Sequence, residues 1–146
     1  MQHRFQPIQL DDGSIDWQAV LPVRISNPLH PRLISPRLEV LVDSGSTDCI
    51  FPADVLNRLG LSLESGAPSG IVGVSGAVEM RTHYQTVTLH IENHEIRVVA
   101  AFAPRLCVAG ILGRRGFFDQ FRVVFDIPAN PLTFSIERPA PRLLQV

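Results

Sequence analysis

The 146-residue chain contains no lysine, so all 13 of its cationic side chains are arginine. Against them stand 14 carboxylates, the net charge is -1, and like charges never gather into a block. This balance excludes nucleic acid or an anionic membrane as the main partner. The arginine-only usage is a compositional bias and not a phosphate site. No apolar run approaches the roughly 20 residues needed to span a bilayer. The opening "MQHRFQPIQLDDG" lacks the apolar stretch of a signal peptide. Cysteine is scarce, with only Cys49 and Cys107, both in apolar strand-like stretches and without Cys-x-x-Cys spacing. They read as buried free thiols, which argues against structural zinc and for a cytoplasmic setting. Tandem repeats and low-complexity segments are also missing.

What is present is a β pattern on a chain of single-domain length, with 45% apolar residues. "RFQPIQL" and "WQAVLPVRIS" read as two strands around the turn "DDGS". The proline-rich "NPLHPRLISP" reads as a loop, and "RLEVLVDSG" as a strand entering a core. "PADVLNRLGL" puts Val55, Leu56 and Leu59 on one helical face, with Pro52 near its start and Gly60 at its end. Gly70, Gly73 and Gly76 precede a long alternating strand, which returns through Glu92-Asn93-His94. "CVAGILG" reads as a buried strand, "RRGFFDQF" as about two helical turns, and "RVVFDIPANPLTFSI" as a hairpin.

Asp43 raises the chemical question. Asp-Ser-Gly is a common turn tripeptide, because Asp and Ser bond to their own backbone and Gly allows positive φ. Here the tripeptide lies between Val40-Leu41-Val42 and Cys49-Ile50-Phe51. A surface turn rarely has such flanks, and a carboxylate delivered there is partly desolvated unless something holds it.

Three segments together carry a resemblance. "LVDSGST", the glycine-rich "GVSGAVEMR", and "GILGRRGFFDQFRVVFDIPANPLTFSI" resemble, in order and spacing, the catalytic turn, flap hairpin and closing segment of the aspartic protease clan. The likeness covers about residues 37–136. One Asp-Ser-Gly motif in a short chain is similar to the retroviral type, the retropepsins, and not to the two-motif pepsins. The resemblance implies an all-β fold: a small closed β-barrel with one or two short helices, one domain over 1–146, assembled as a homodimer. Residues 1–36 add N-terminal strands, and 137–146 form a tail.

The resemblance also implies an aspartic endopeptidase in which two Asp43 carboxylates, one from each copy, activate water on a peptide or protein substrate. No cofactor, metal or nucleic acid takes part. Asp43, Ser44 and Gly45 would form the catalytic turn. Ser46, Thr47, Asp48, Gly73, Val74, Ser75, Ala109 and Ile111 would contact substrate. Ser44 would lock the two loops across the axis. Ser46 would donate to the dyad, or else bond only to backbone. Arg114 matches the retroviral Gly-Arg pattern, but Thr47 stands where many retroviral enzymes carry an Asp, so its partner lies elsewhere, with Asp48 one candidate. The rival reading is a catalytically silent module that keeps the fold for peptide binding or dimerisation.

Other patterns read as structural. His90 and His94 are spaced like helical metal ligands but lie in a strand and turn. "GVSG" lacks Gly-x-Ser-x-Gly spacing. Trp17, the single tryptophan, either packs on the barrel or covers a dimer surface.

Overall fold

The computed structural model describes residues 1–73, 75, 76 and 78–140, with residues 78 and 79 described in their backbone only. Twelve strands appear among the described residues: β1 (Gln2–Arg4), β2 (Gln6–Gln9), β3 (Ile15–Gln18), β4 (Val20–Ser26), β5 (Leu38–Val42), β6 (Ile50–Pro52), β7 (Ala67–Val72), β8 (Val78–Ile91), β9 (His94–Ala103), β10 (Ile111–Leu112), β11 (Arg122–Asp126) and β12 (Thr133–Glu137). The one α-helix among the described residues, α1 (Asp54–Leu59), follows β6, and a 3-10 turn covers Leu63–Ser65.

Six strands close into a barrel in the order β4, β5, β10, β6, β9, β8 and back to β4. Two neighbours in this ring run parallel: β5 with β10, and β6 with β9. Closure depends on the length of β8. Its end, Thr88–Ile91, pairs with β4, while its start pairs with β7, which projects beyond the ring. The β8–β9 return registers Ile91 opposite His94, and Glu92 takes the left-handed φ of 53° that so tight a link demands.

Alternation fills the interior. Val87, Leu89 and Ile91 of β8 point inward, as do Ile96, Val98 and Ala100 of β9. They meet Leu21, Val23, Ile25, Val40 and Phe51 in one core, which α1 caps with Val55, Leu56 and Leu59. Each such buried side chain contributes about 1.5–3 kcal/mol of transfer free energy. The helix stops at Gly60, whose φ of 66° suits a left-handed cap. β1, β12 and β11 form a three-stranded sheet whose Phe134 and Ile136 join the same core. β2 and β3 stand apart as a two-stranded hairpin.

Three expectations change. "RRGFFDQF" forms turns and no α-helix. Gly116 there has a φ of 100°, which no right-handed helix accommodates, and its N–H is held by Asp119 Oδ2 at 3.0 Å. Stacked Phe117 and Phe121 rings anchor the segment instead. Only Ile111–Leu112 of "CVAGILG" is a strand, because the chain bends through Cys107–Ala109 first. Cys107 is therefore exposed, not buried, whereas Cys49 is buried as expected.

Candidate active site

β5 ends at Val42 and delivers Asp43 into a turn fastened on both sides. The Asp43 N–H donates to Leu112 O of β10 at 3.0 Å, and the Val42 N–H donates to Ala19 O at 2.8 Å. The Ser46 N–H closes the turn on Asp43 O at 3.2 Å. Within it, the Gly45 N–H donates to Asp43 Oδ1 at 2.9 Å. A Cβ on residue 45 would stand 3.1 Å from that oxygen, so glycine lets the backbone reach the carboxylate.

The following residues tie this turn to the segment after β10. The Arg114 guanidinium donates from Nη1 to Ser44 O at 3.0 Å and from Nη2 to Thr47 Oγ1 at 3.2 Å. Arg114 is thus held by Thr47 itself, and Asp48 is not its partner. Asp48 pairs with the next arginine: Arg115 Nε donates to Asp48 Oδ1 at 2.9 Å. Tyr84 OH donates to the other oxygen, Oδ2, also at 2.9 Å. The Asp48 side chain is only 17% exposed, whereas that of Arg115 is 65% exposed. The hydrogen bond from Arg115 to Asp48 raises the guanidinium above its ordinary value. Ser46 Oγ donates to Asp48 O at 2.8 Å, the backbone-bonded alternative for that hydroxyl.

These residues open onto a cleft of about 470 Å³. Asp43, Gly45, Ser46, Thr47, Asp48 and Ile111 line it together. Ile50, Ile71, Ala101 and Tyr84 add an apolar wall, and Ser69, Gly70 and Val72 of β7 also line the cleft. Ser44 is exposed beside the cleft. Gly73 and Ser75 lie in the link between β7 and β8, and Val74 falls outside the described residues. Ala109 lies in the bends before β10 and does not line the cleft. Tyr84, Ile71, Ala101 and Arg115 are among the lining residues that sequence reasoning missed. Tyr84's only signal was its place in the alternating strand "MRTHYQTV".

Asp43 also borders a second, shallower hollow of about 340 Å³, shared with Phe5, Trp17, Ala19, Phe125 and Ile127. Elsewhere, His90 Nε2 lies 2.8 Å from Ser26 Oγ, and the His94 ring packs edge-on against Phe121. Among the described residues no group of three or more His, Cys, Asp or Glu side chains is placed to hold a metal. No helix among them is long and apolar enough to cross a membrane.

Two carboxylates therefore line the described cleft, and they differ in kind. Both Asp48 oxygens are bonded across the strands, which makes Asp48 a structural acceptor. Asp43 receives a backbone donor on Oδ1 from its own turn.

Residues 22–115 match the family model described as "Aspartyl protease". A retropepsin-like aspartic protease from Rickettsia conorii superposes with a TM-score of 0.58 at 14% identity, covering 92% of this chain and 98% of that one. The retroviral protease-like domain of Ddi1 from Leishmania major gives 0.51 at 15% identity, covering 86% and 98%. EIAV protease complexed with the inhibitor HBY-793 is 26% identical, with a TM-score of 0.45 and coverage of 66% and 82%. No curated protein matches the chain. The first two share this chain's fold.

Proposed function

This chain belongs to the aspartyl protease family, and from that premise we propose that it is an aspartic endopeptidase whose single active site forms between two copies. The observation that carries the reading is the contrast between Asp43 and Asp48. Asp43 sits in an Asp-Ser-Gly turn at a cleft, with a Gly45 donor on its oxygen. The other carboxylate lining the cleft, Asp48, is engaged by Arg115 and Tyr84. The second acid of the reaction is then Asp43 of another copy, across a twofold axis.

Two carboxylates brought to hydrogen-bonding distance share one proton, a case for which aspartic proteases are themselves the standard example. The ionised Asp43 takes a proton from a water as its oxygen attacks the scissile carbonyl carbon. The protonated Asp43 donates to the carbonyl oxygen. Collapse of the tetrahedral intermediate breaks the C–N bond: the amine leaves with the proton that the first carboxylate accepted, and one hydroxyl of the gem-diol returns its proton to the second carboxylate, which leaves a carboxylic acid product and the dyad as it began. No covalent acyl-enzyme forms. Gly45 and Ser44 hold the carboxylates and the two loops. The apolar wall of Ile50, Ile71, Ala101 and Ile111 receives substrate side chains, with Ser46, Thr47 and Asp48 along the strand. The β7–β8 link, including Gly73, Val74 and Ser75, closes over the substrate as a flap.

The test is Asp43→Asn against a peptide library read by mass spectrometry. Each dimer then lacks both acid and base, and we expect turnover to fall by at least ~10⁴. Circular dichroism should stay unchanged. Cleavage by the Asn variant at the wild-type rate would end the aspartic reading. A wild-type dimer that binds peptides without cutting them would make the chain a silent binding module.

A further inference from the structure

Resting on the two-copy site proposed above, we infer that the β2–β3 hairpin, with the Phe125–Ile127 corner beside it, is the face on which a second copy of this chain seats. The hairpin pairs Pro7 with Trp17 and Gln9 with Ile15, so these four side chains share one face. Its other face carries Gln6, Ile8, Asp16 and Gln18. Such a pattern belongs to a sheet with one face covered, yet Ile15 is 60% exposed and Trp17 49%. Among the described residues the two strands pair with each other and with no other strand. A lone two-stranded hairpin is marginal in water, and this one presents its apolar side to solvent.

The position of Asp43 identifies the occupant. Asp43 borders two hollows, the cleft and the one lined by Trp17, Phe125 and Ile127. If two Asp43 carboxylates meet at hydrogen-bonding distance, the surface around each of them lies against the other copy. The cleft must stay open for substrate. The second hollow is the other one described that Asp43 borders, and its lining includes exposed Ile127, at 55%, and Trp17 of the hairpin. An isologous contact there buries the same residues on both copies, and the active site is incomplete without it.

Trp17 is the chain's only tryptophan, so its emission reports on this face alone. Wild-type protein is diluted through the dimer dissociation range, with sedimentation velocity, tryptophan emission and acrylamide quenching measured at each concentration. We expect emission to shift to the red and quenching to rise at the midpoint of dissociation. A second arm uses Ile15→Glu, which keeps Trp17 and changes an exposed position. Its dimer dissociation constant should rise at least tenfold, with circular dichroism unchanged and turnover per dimer retained at saturating protein. Emission and quenching that stay constant while the dimer dissociates would overturn the inference and leave the two-copy site standing. So would an Ile15→Glu dissociation constant within twofold of wild type. A fully active monomer would instead remove the premise, and the inference with it.

Discussion

Gly113 is the residue on which the candidate site is most exposed to a single methyl group. A Cβ at this position would stand 2.1 Å from Asp48 O, 2.5 Å from Asp48 C and 2.9 Å from Ser46 O, where ordinary contact begins near 3.4 Å. All three are backbone atoms, so no rotamer change gives relief. The strands must part by about 1 Å, as overpacked interiors do, at a cost of about 1–3 kcal/mol. Parting them stretches the two bonds that cross this junction, from the Arg114 N–H to Ser46 O at 2.9 Å and from the Arg115 N–H to Thr47 O at 2.8 Å. Each is worth about 0.5–1.5 kcal/mol net. Gly113→Ala should therefore cost about 4 kcal/mol, or about 8–16 °C in Tm for a chain of this size. The assay is urea unfolding followed by circular dichroism at one protein concentration, since dimerisation makes stability concentration-dependent. Gly13→Ala is the control. It has a φ of +82° but nothing within 4 Å, so it carries only the backbone term of about 1–2 kcal/mol. A Gly113→Ala protein within about 1 kcal/mol of wild type, or no worse than Gly13→Ala, would refute the packing argument.

Two further outcomes follow from the same geometry. Tyr84→Phe removes a donor from a mostly buried carboxylate and should cost about 1–2 kcal/mol, whereas Arg115→Gln, losing an ion pair whose guanidinium is mostly in water, should cost less; the reverse ranking in urea midpoints would show that the ion pair and not the phenol holds Asp48. Burial raises the Cys49 thiol from its ordinary 9.0 to about 12, so a thiol reagent at pH 8 should titrate only Cys107 until the protein is unfolded. The folded state binds the Cys49 proton more tightly than the unfolded one, so the stability this gives is complete below pH 9 and is lost as pH rises towards 12. An alkaline unfolding profile over that range that is unchanged in Cys49→Ala would contradict the assignment.

How much of this was legible beforehand depends on the range of the interaction. The Asp43 turn and α1 were readable because their signals are local: an apolar run on each side of Asp-Ser-Gly, three apolar positions on one helical face, and a closing Gly60. The segment 114–121 misled because its residues have helical spacing, while the deciding feature is the φ of 100° at Gly116, a conformation that apolar spacing does not reveal. The apolar composition of "CVAG" resembled a strand, yet the chain bends through Cys107–Ala109 and meets β5 at Gly110, whose carbonyl accepts from the Leu41 N–H. Adjacent Arg114 and Arg115 reach different partners, and nothing in an Arg-Arg pair says which takes Asp48. Tyr84 and Asp48 are 36 positions apart. Only the closure of the barrel puts them face to face, so Tyr84 could not be read as part of the site.

The parallel pairing of β5 with β10 also sets a timetable for synthesis. Leu41 lies opposite Ile111 and Val42 opposite Leu112. The backbone hydrogen bonds from β10 that fix the Asp43 turn are thus completed roughly 70 residues after the turn itself leaves the ribosome, an interval of roughly 4–14 s at common elongation rates. β4 and β5 can form their hairpin early, but the Asp43 N–H has no Leu112 carbonyl to hold until that later stretch emerges. Closing so long a loop adds a further entropic delay. A nascent chain therefore carries the carboxylate without the backbone bond that orients it. The geometry of the Asp43 turn is thus deferred until the stretch around Leu112 has emerged.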